Sequence, residues 1–256
     1  MTPAELAIAL TAALFVDFDV EAAEQILDPD YIQHNVGVPT GAAPILGFIP
    51  GLKDSGIGVE THRVLSEGNM VVMHNTYTNA QAFGAEVLVG FDVYRIEGDK
   101  VVEHWDNLQP LVTETASGRS MTDGPTEVVD LDQTAANKAV VEGLMTDIFL
   151  NGEMDKVTDY ISPVTYLQHN PGVADGLDGL GTALAAMAEA GQSMAYAEVH
   201  MIIAEGNFVF AASEGTIGDT PTAFFDLFRI EDDLIVEHWD TISTIPDEMP
   251  HDNGKF

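Results

Sequence analysis

The feature that most constrains this chain is an internal repeat. Glu-His-Trp-Asp at 103–106 recurs letter for letter at 237–240, closing a longer repeat in which "FDVYRIEGDKVVEHWD" (91–106) returns as "FDLFRIEDDLIVEHWD" (225–240). "YIQHN" (31–35) returns as "YLQHN" (166–170), and "EGNMV" (67–71) returns as "EGNFV" (205–209). The order is kept, and the spacing drifts only by the few residues that loops absorb. A period this long is no solenoid, so each copy is a whole domain. The sequence therefore reads as a domain over 1–112, a polar linker over 113–131, a second domain over 132–249 and a tail over 250–256.

Each copy starts helical. Thr2-Pro3 is an N-cap followed by a proline at the first helical position, and Leu6, Leu10 and Leu14 repeat at helical spacing. In the second copy Val140, Val141, Leu144, Met145 and Ile148 form the matching stripe. A short helical stretch follows, then Tyr-x-Gln-His-Asn, then a third helix, which Pro44 and Pro50 are expected to disrupt in the first copy. The remainder of each copy alternates apolar and polar residues around turn signals, as antiparallel hairpins do. The fold class is α+β: helices first, then a curved antiparallel sheet, twice.

Composition narrows the function. With 42 Asp+Glu against 9 Lys+Arg, a net charge of −33 repels nucleic acid and anionic membrane surfaces. There is no cysteine, hence no disulfide, thiolate nucleophile or cysteine-based metal site. The first helix lacks a basic leading region and meets Asp17, Asp19 and Glu21, so it reads as amphipathic rather than as a signal or a membrane span, and a cytoplasmic protein is expected.

The "YIQHN" and "FDVYRIEGDKVVEHWDNLQP" segments, present with their twins in the same order, resemble the SnoaL-like branch of the nuclear transport factor 2-like superfamily. The resemblance covers most of each copy. It implies a cone-shaped domain whose concave sheet face meets the helices and lines a pocket, while the convex face packs against a second sheet. Relatives include polyketide cyclases, steroid isomerases, dehydratases and epoxide hydrolases, so the resemblance implies a scaffold and leaves the reaction open. "HNVGVPTG" departs from the family's His-Asn-Pro, which "HNPGVADG" keeps.

Strand alternation distributes the repeated words between the two faces. A three-residue turn at Glu97-Gly98-Asp99 would set Asp92 opposite His104 and bring Asp92, His104 and Asp106 to one face. On the resemblance that face is concave. Phe91, Val93 and Trp105, with Phe225, Leu227 and Trp239, are then expected to pack the two copies into an intramolecular pseudo-dimer, with further oligomerisation open. The candidate catalytic residues are Asp92, His104 and His34, with Asp226, His238 and His169 in the second copy. Tyr94, His74, Asp106, Phe228 and Asp240 are candidate substrate contacts.

An Asp beside a His in an apolar cone suits general acid–base work. A buried hydrogen bond that merely fixes the hairpin would use the same pair. A two-histidine, one-carboxylate metal set can be drawn from His34, His104, Asp92 and His74, but no tight ligand spacing supports it, so no metal and no cofactor are expected. Two readings follow. One is a cofactor-free acid–base enzyme of the lyase, isomerase or cyclase type, acting on a small, mostly apolar carbonyl compound. The other is a non-catalytic module that binds a small hydrophobic ligand or serves as a scaffold. The first copy, with His74 where the second has Ala212 and Tyr94 where it has Phe228, is expected to be the more polar site.

Overall fold

Helix α1 (Pro3–Phe15) begins where the sequence signals it: Thr2 and Glu5 form a reciprocal capping box, and Pro3 takes the first turn. Its Leu6, Leu10 and Leu14 are buried against α2 (Val20–Ile26), β1 (Leu27–Gln33) and α3 (Ala42–Ser55). Strands β2 (Gly58–Glu67), β3 (Met70–Thr78), β4 (Val87–Glu97) and β5 (Lys100–Pro110) complete a sheet of order β1-β5-β4-β3-β2, in which only β1 runs parallel to its neighbour. The second copy repeats this plan. Helix α4 (Thr134–Gly143) continues to Leu150 in wider turns, followed by α5 (Val157–Tyr160), β6 (Leu167–Gln168) and α6 (Gly176–Glu189). Strands β7 (Met194–Glu205), β8 (Phe208–Ile217), β9 (Thr220–Glu231) and β10 (Leu234–Thr244) give the order β6-β10-β9-β8-β7.

This computed structural model describes residues 1–256. They divide into two units, Met1–Leu111 with Pro246–Phe256, and Val112–Ile245. The stretch read as a linker is therefore held within the second unit: Ala116 N–H donates to Pro171 O (2.9 Å), and Ser117 Oγ donates to Gln168 O (2.7 Å). The stretch read as a tail is held within the first: Asn253 Nδ2 donates to Gln33 O (2.9 Å), and His251 Nε2 lies 3.0 Å from Asn35 O. No helix is long and apolar enough to cross a membrane.

Two local expectations need correction. Helix α3 is continuous and runs 14 residues, as does α6, although Pro50 lies in its interior. Pro44 falls in the first turn, where no intrahelical donor is lost, and Gly56 closes the helix at φ 67°. The β4–β5 turn is also shorter than expected. Glu97 pairs with Lys100, so the loop is Gly98-Asp99, and Gly98 rather than Asp99 takes the left-handed conformation (φ 63°). A bulge then intervenes: Ile96 pairs with Val101 but Arg95 with Glu103. The one-residue slip of the short loop and the one-residue slip of the bulge add up to a shift of two from the expected register, which preserves the face. Asp92 pairs with Asp106, Tyr94 pairs with His104, and all four share the pocket side.

Candidate functional site

The first unit encloses a cavity of about 50 Å³, room for a few water molecules. Apolar side chains from α1, α3 and the loop before β4 (Leu14, Phe15, Ile45, Phe83) form one side of it. The sheet supplies the polar side: Tyr31 and Gln33 from β1, Tyr77 from β3, Asp92 and Tyr94 from β4, and His104 and Asp106 from β5, with Asn35 just beyond β1.

His104 joins these groups. Its Nε2 is 3.1 Å from Asp92 Oδ1 and its Nδ1 is 2.9 Å from Gln33 Oε1. The same Gln33 oxygen accepts the backbone N–H of His34 (3.0 Å) and of Asn35 (2.9 Å), which fixes the orientation of the amide. Nδ1 must then donate, so one proton is shared between Nε2 and Asp92. The other Asp92 oxygen is also occupied, accepting from Asn75 Nδ2 (2.7 Å) and Tyr77 Oη (2.8 Å). Asp106 is less committed. Its Oδ2 accepts from Asn35 Nδ2, while Lys255 Nζ stands 3.8 Å from its Oδ1. Burial holds the hydroxyls of Tyr31, Tyr77 and Tyr94 well above their ordinary titration range, and the carboxylates add to this, so all three remain protonated donors.

The second unit keeps the frame with weaker links. His238 Nε2 is 2.9 Å from Asp226 Oδ1, but the Tyr196 hydroxyl is 3.4 Å from Asp226 Oδ2. Asp240 Oδ2 accepts from Asn170 Nδ2 (2.6 Å), and its buried Oδ1 has no hydrogen-bond partner. Burial, reinforced by the Asp226 charge, pushes the Asp240 carboxyl up to about 6. For His238, burial opposes the charged imidazole, but the Asp226 hydrogen bond and the two carboxylate charges outweigh it and the value rises.

Several expected site residues lie elsewhere. His34 and His169 face away from the Asp–His pairs. His34 stacks on Trp105 (centroids 4.9 Å apart) with Nε2 3.0 Å from Glu103, and burial lowers its titration against the pull of Glu103. His169 stacks on Trp239 (4.6 Å) with Nε2 2.9 Å from Glu237. His74 is likewise on the opposite face from Asp92: it pairs across the sheet with Phe91, stacks on that ring (4.4 Å), and lies 3.1 Å from Arg63 Nη1. Arg229 is buried with Glu237 (2.7 Å). Tyr94 and Phe228 stack on His104 (4.8 Å) and His238 (4.9 Å).

Strand alternation could have found the residues that were missed. In Tyr31-Ile32-Gln33-His34-Asn35, it is Tyr31, Gln33 and Asn35 that share the pocket side. Tyr77 and Tyr196 carried no such signal, because they come from non-equivalent strands, β3 and β7.

The ligand atoms of Asp92, His104 and Asp106, and of Asp226, His238 and Asp240, cluster within 4.8 Å in each unit, a spacing a cation could use. In the first unit both His104 nitrogens are engaged and an ammonium already stands beside Asp106, so the donor set does not suit a metal.

A family model described as a SnoaL-like domain matches residues 9–104 and again 141–238. Among curated proteins nothing matches. Similar solved structures include IdmH, a candidate polyketide cyclase from Streptomyces antibioticus, at 16% identity and TM-score 0.37, covering 43% of this chain and 93% of its own. A protein of unknown function with a cystatin-like fold from Xanthomonas campestris is 19% identical with TM-score 0.37, covering 43% and 92%. An NTF2-like protein of unknown function from Cytophaga hutchinsonii is 15% identical with TM-score 0.36, covering 43% and 92%.

Proposed function

The chain belongs to the SnoaL-like domain family, and on that premise we propose that its first pocket is the active site of a cofactor-free acid–base enzyme of the cyclase, isomerase or lyase type, acting on a small, mostly apolar carbonyl compound. The observation that carries this reading is the pair of facing carboxylates on the polar side of the cavity, Asp92 with every oxygen bonded and Asp106 with one oxygen not held by a close hydrogen bond. Asp106 is accordingly the base. It takes a proton from the carbon beside the carbonyl, and the electron pair moves onto the carbonyl oxygen, where the protonated Tyr31 hydroxyl donates a hydrogen bond. Returning the proton to another atom gives isomerisation; attack by the enolate carbon on a second carbonyl carbon closes a ring, and the alkoxide formed there takes the proton back from Asp106. Asp92 and His104, hydrogen-bonded to each other, stand beside Asp106, with ligand atoms of the three within 4.8 Å of one another. The ligand-binding alternative draws on the same closed bonding around Asp92, which leaves that carboxylate no lone pair for a substrate.

The test is deuterium exchange of a panel of enolisable ketones and lactones in D2O, followed by NMR. The wild-type protein exchanges at least one of them, and Asp106→Asn slows it about 100-fold or more. Binding without exchange across the panel, with unchanged ligand affinity in Asp106→Asn, would establish the non-catalytic reading instead.

A further inference from the structure

The C-terminal segment of the chain does more than cover the first unit. Gly254 O lies 3.0 Å from His34 Nδ1, and the next residue, Lys255, turns its side chain inward until only 5% of the residue is exposed. Its ammonium donates to the backbone oxygen of Asp106 and stands 3.8 Å from that residue's carboxylate. Burial lowers its ordinary titration, and the Asp106 and Asp92 charges pull it back up. A buried lysine is costly unless a charge compensates it, so its place beside the buried Asp106 carboxylate is a specific arrangement.

The second unit supplies the control. There Ser120 O lies 2.6 Å from His169 Nδ1, the counterpart of the Gly254–His34 contact, and the next residue is Met121, equally buried. The two segments thus make the same contact, one followed by a lysine whose ammonium reaches the Asp–His–Asp cluster and the other by a methionine, whose Sδ accepts from the Val112 N–H (3.3 Å). The first cluster balances two carboxylates against an imidazole and an ammonium, whereas the second has two carboxylates and an imidazole alone.

We propose that Lys255 is a positioning residue of the first pocket: its ammonium lets Asp92 and Asp106 be ionised together, so that Asp106 is available as a base at neutral pH, and the second pocket, with Met121 in that place, lacks this provision. The titratable groups around Asp106 are Asp92 and Tyr94 on β4, His104 on β5, Tyr31 on β1, Tyr77 on β3 and Lys255 itself. Those around Asp240 are Asp226 on β9, His238 on β10, Tyr196 on β7, and Tyr166 and His169 flanking β6. Two members of the first set have no ionisable counterpart in the second, Tyr94, matched by Phe228, and Lys255, matched by Met121, and of these only Lys255 carries a charge.

The inference deepens the proposed function, but its test reads protonation rather than turnover, so the two fail separately. Carboxyl carbons of selectively labelled aspartates would be followed by NMR from pH 4 to 9 in the full-length wild type and in Lys255→Met, Lys255→Arg and Met121→Lys. Lys255→Met moves one first-pocket carboxyl upward by one pH unit or more, a tenfold change in proton affinity, and Lys255→Arg restores it. Met121→Lys removes the titration of Asp240 near pH 6. If Lys255→Met does not fold, the Met121→Lys result decides alone. Unchanged carboxyl titrations in the folded variants would overturn the proposal, even if turnover falls.

Discussion

The two pockets share their frame and differ in what fills it. Where the first unit has Gly90, a Cβ would meet Leu108 Cδ2 at 2.3 Å, and the cavity lies beside it. At the matching place the second unit carries Phe224, fully buried and stacked on Tyr196 (4.4 Å). Tyr77 gives Asp92 a 2.8 Å hydrogen bond from β3, whereas Asp226 receives a hydroxyl at 3.4 Å from Tyr196 on β7, with Gly215 standing where Tyr77 would be. After duplication, the element both units retain is the Asp–His pair, while the space, the hydroxyl and the cation around it have diverged. A repeated motif therefore preserves the hydrogen-bonded hairpin more faithfully than it preserves a site.

The strongest way to break the comparison is to give the first pocket the second's filling. Gly90→Phe should abolish ligand uptake and turnover and cost about 3 kcal/mol through overpacking against Leu108. Calorimetry beside the exchange assay checks this, and an active, fully stable variant would mean the cavity is not the site.

Next in size is the buried charge of the second pocket. Asp240 titrates near 6 in the folded chain against an ordinary 3.8, and His238 is also raised from 6.5. Both folded groups bind protons more tightly than the unfolded chain does. The second unit therefore loses stability as pH rises from about 4 through the folded His238 value, and regains it on acidification. Asp240→Asn should remove most of the carboxyl's part of this slope and stabilise the unit at pH 7 by on the order of 2 kcal/mol. A thermal midpoint series that stays flat with pH in the wild type would contradict the assignment.

Smaller differences sharpen the picture. Tyr77→Phe should cost about 2 kcal/mol, because it strips a short hydrogen bond from a buried carboxylate, and Tyr196→Phe less than about 1 kcal/mol. Urea unfolding of the two variants gives the ratio. Smallest of all is the tryptophan pair. Trp239 Nε1 donates to Asp123 O (2.9 Å), whereas the buried Trp105 Nε1 has no partner. Trp239→Phe should therefore cost about 1 kcal/mol more than Trp105→Phe, and equal losses in urea melts would show that this bond contributes nothing.

Much of the fold is legible in the sequence, because duplication and period-two alternation are long-range regularities carried by many residues. The capped first helix and the pocket-side grouping of Asp92, His104 and Asp106 follow from such patterns. The register is less legible: the bulge after Val101 leaves no mark in residue type, and only its even total shift kept the faces right. His34 and His74 mislead because chemistry was read into residue identity where alternation points to the other face. Lys255 is illegible for a different reason. It lies 149 positions from Asp106, in a segment with no motif, and its partner is set by tertiary path alone.

That path has a consequence for how the protein is made. The sheet of the first unit leaves the ribosome before any of the second, but the segment carrying Lys255 emerges only after the whole second unit has been synthesised. Domains fold as units during synthesis, so the first cluster of carboxylates forms early and waits, without its cation, through the translation of everything between. A newly made first unit is thus an assembled frame with unbalanced charge, and it is completed only once the second unit has been made.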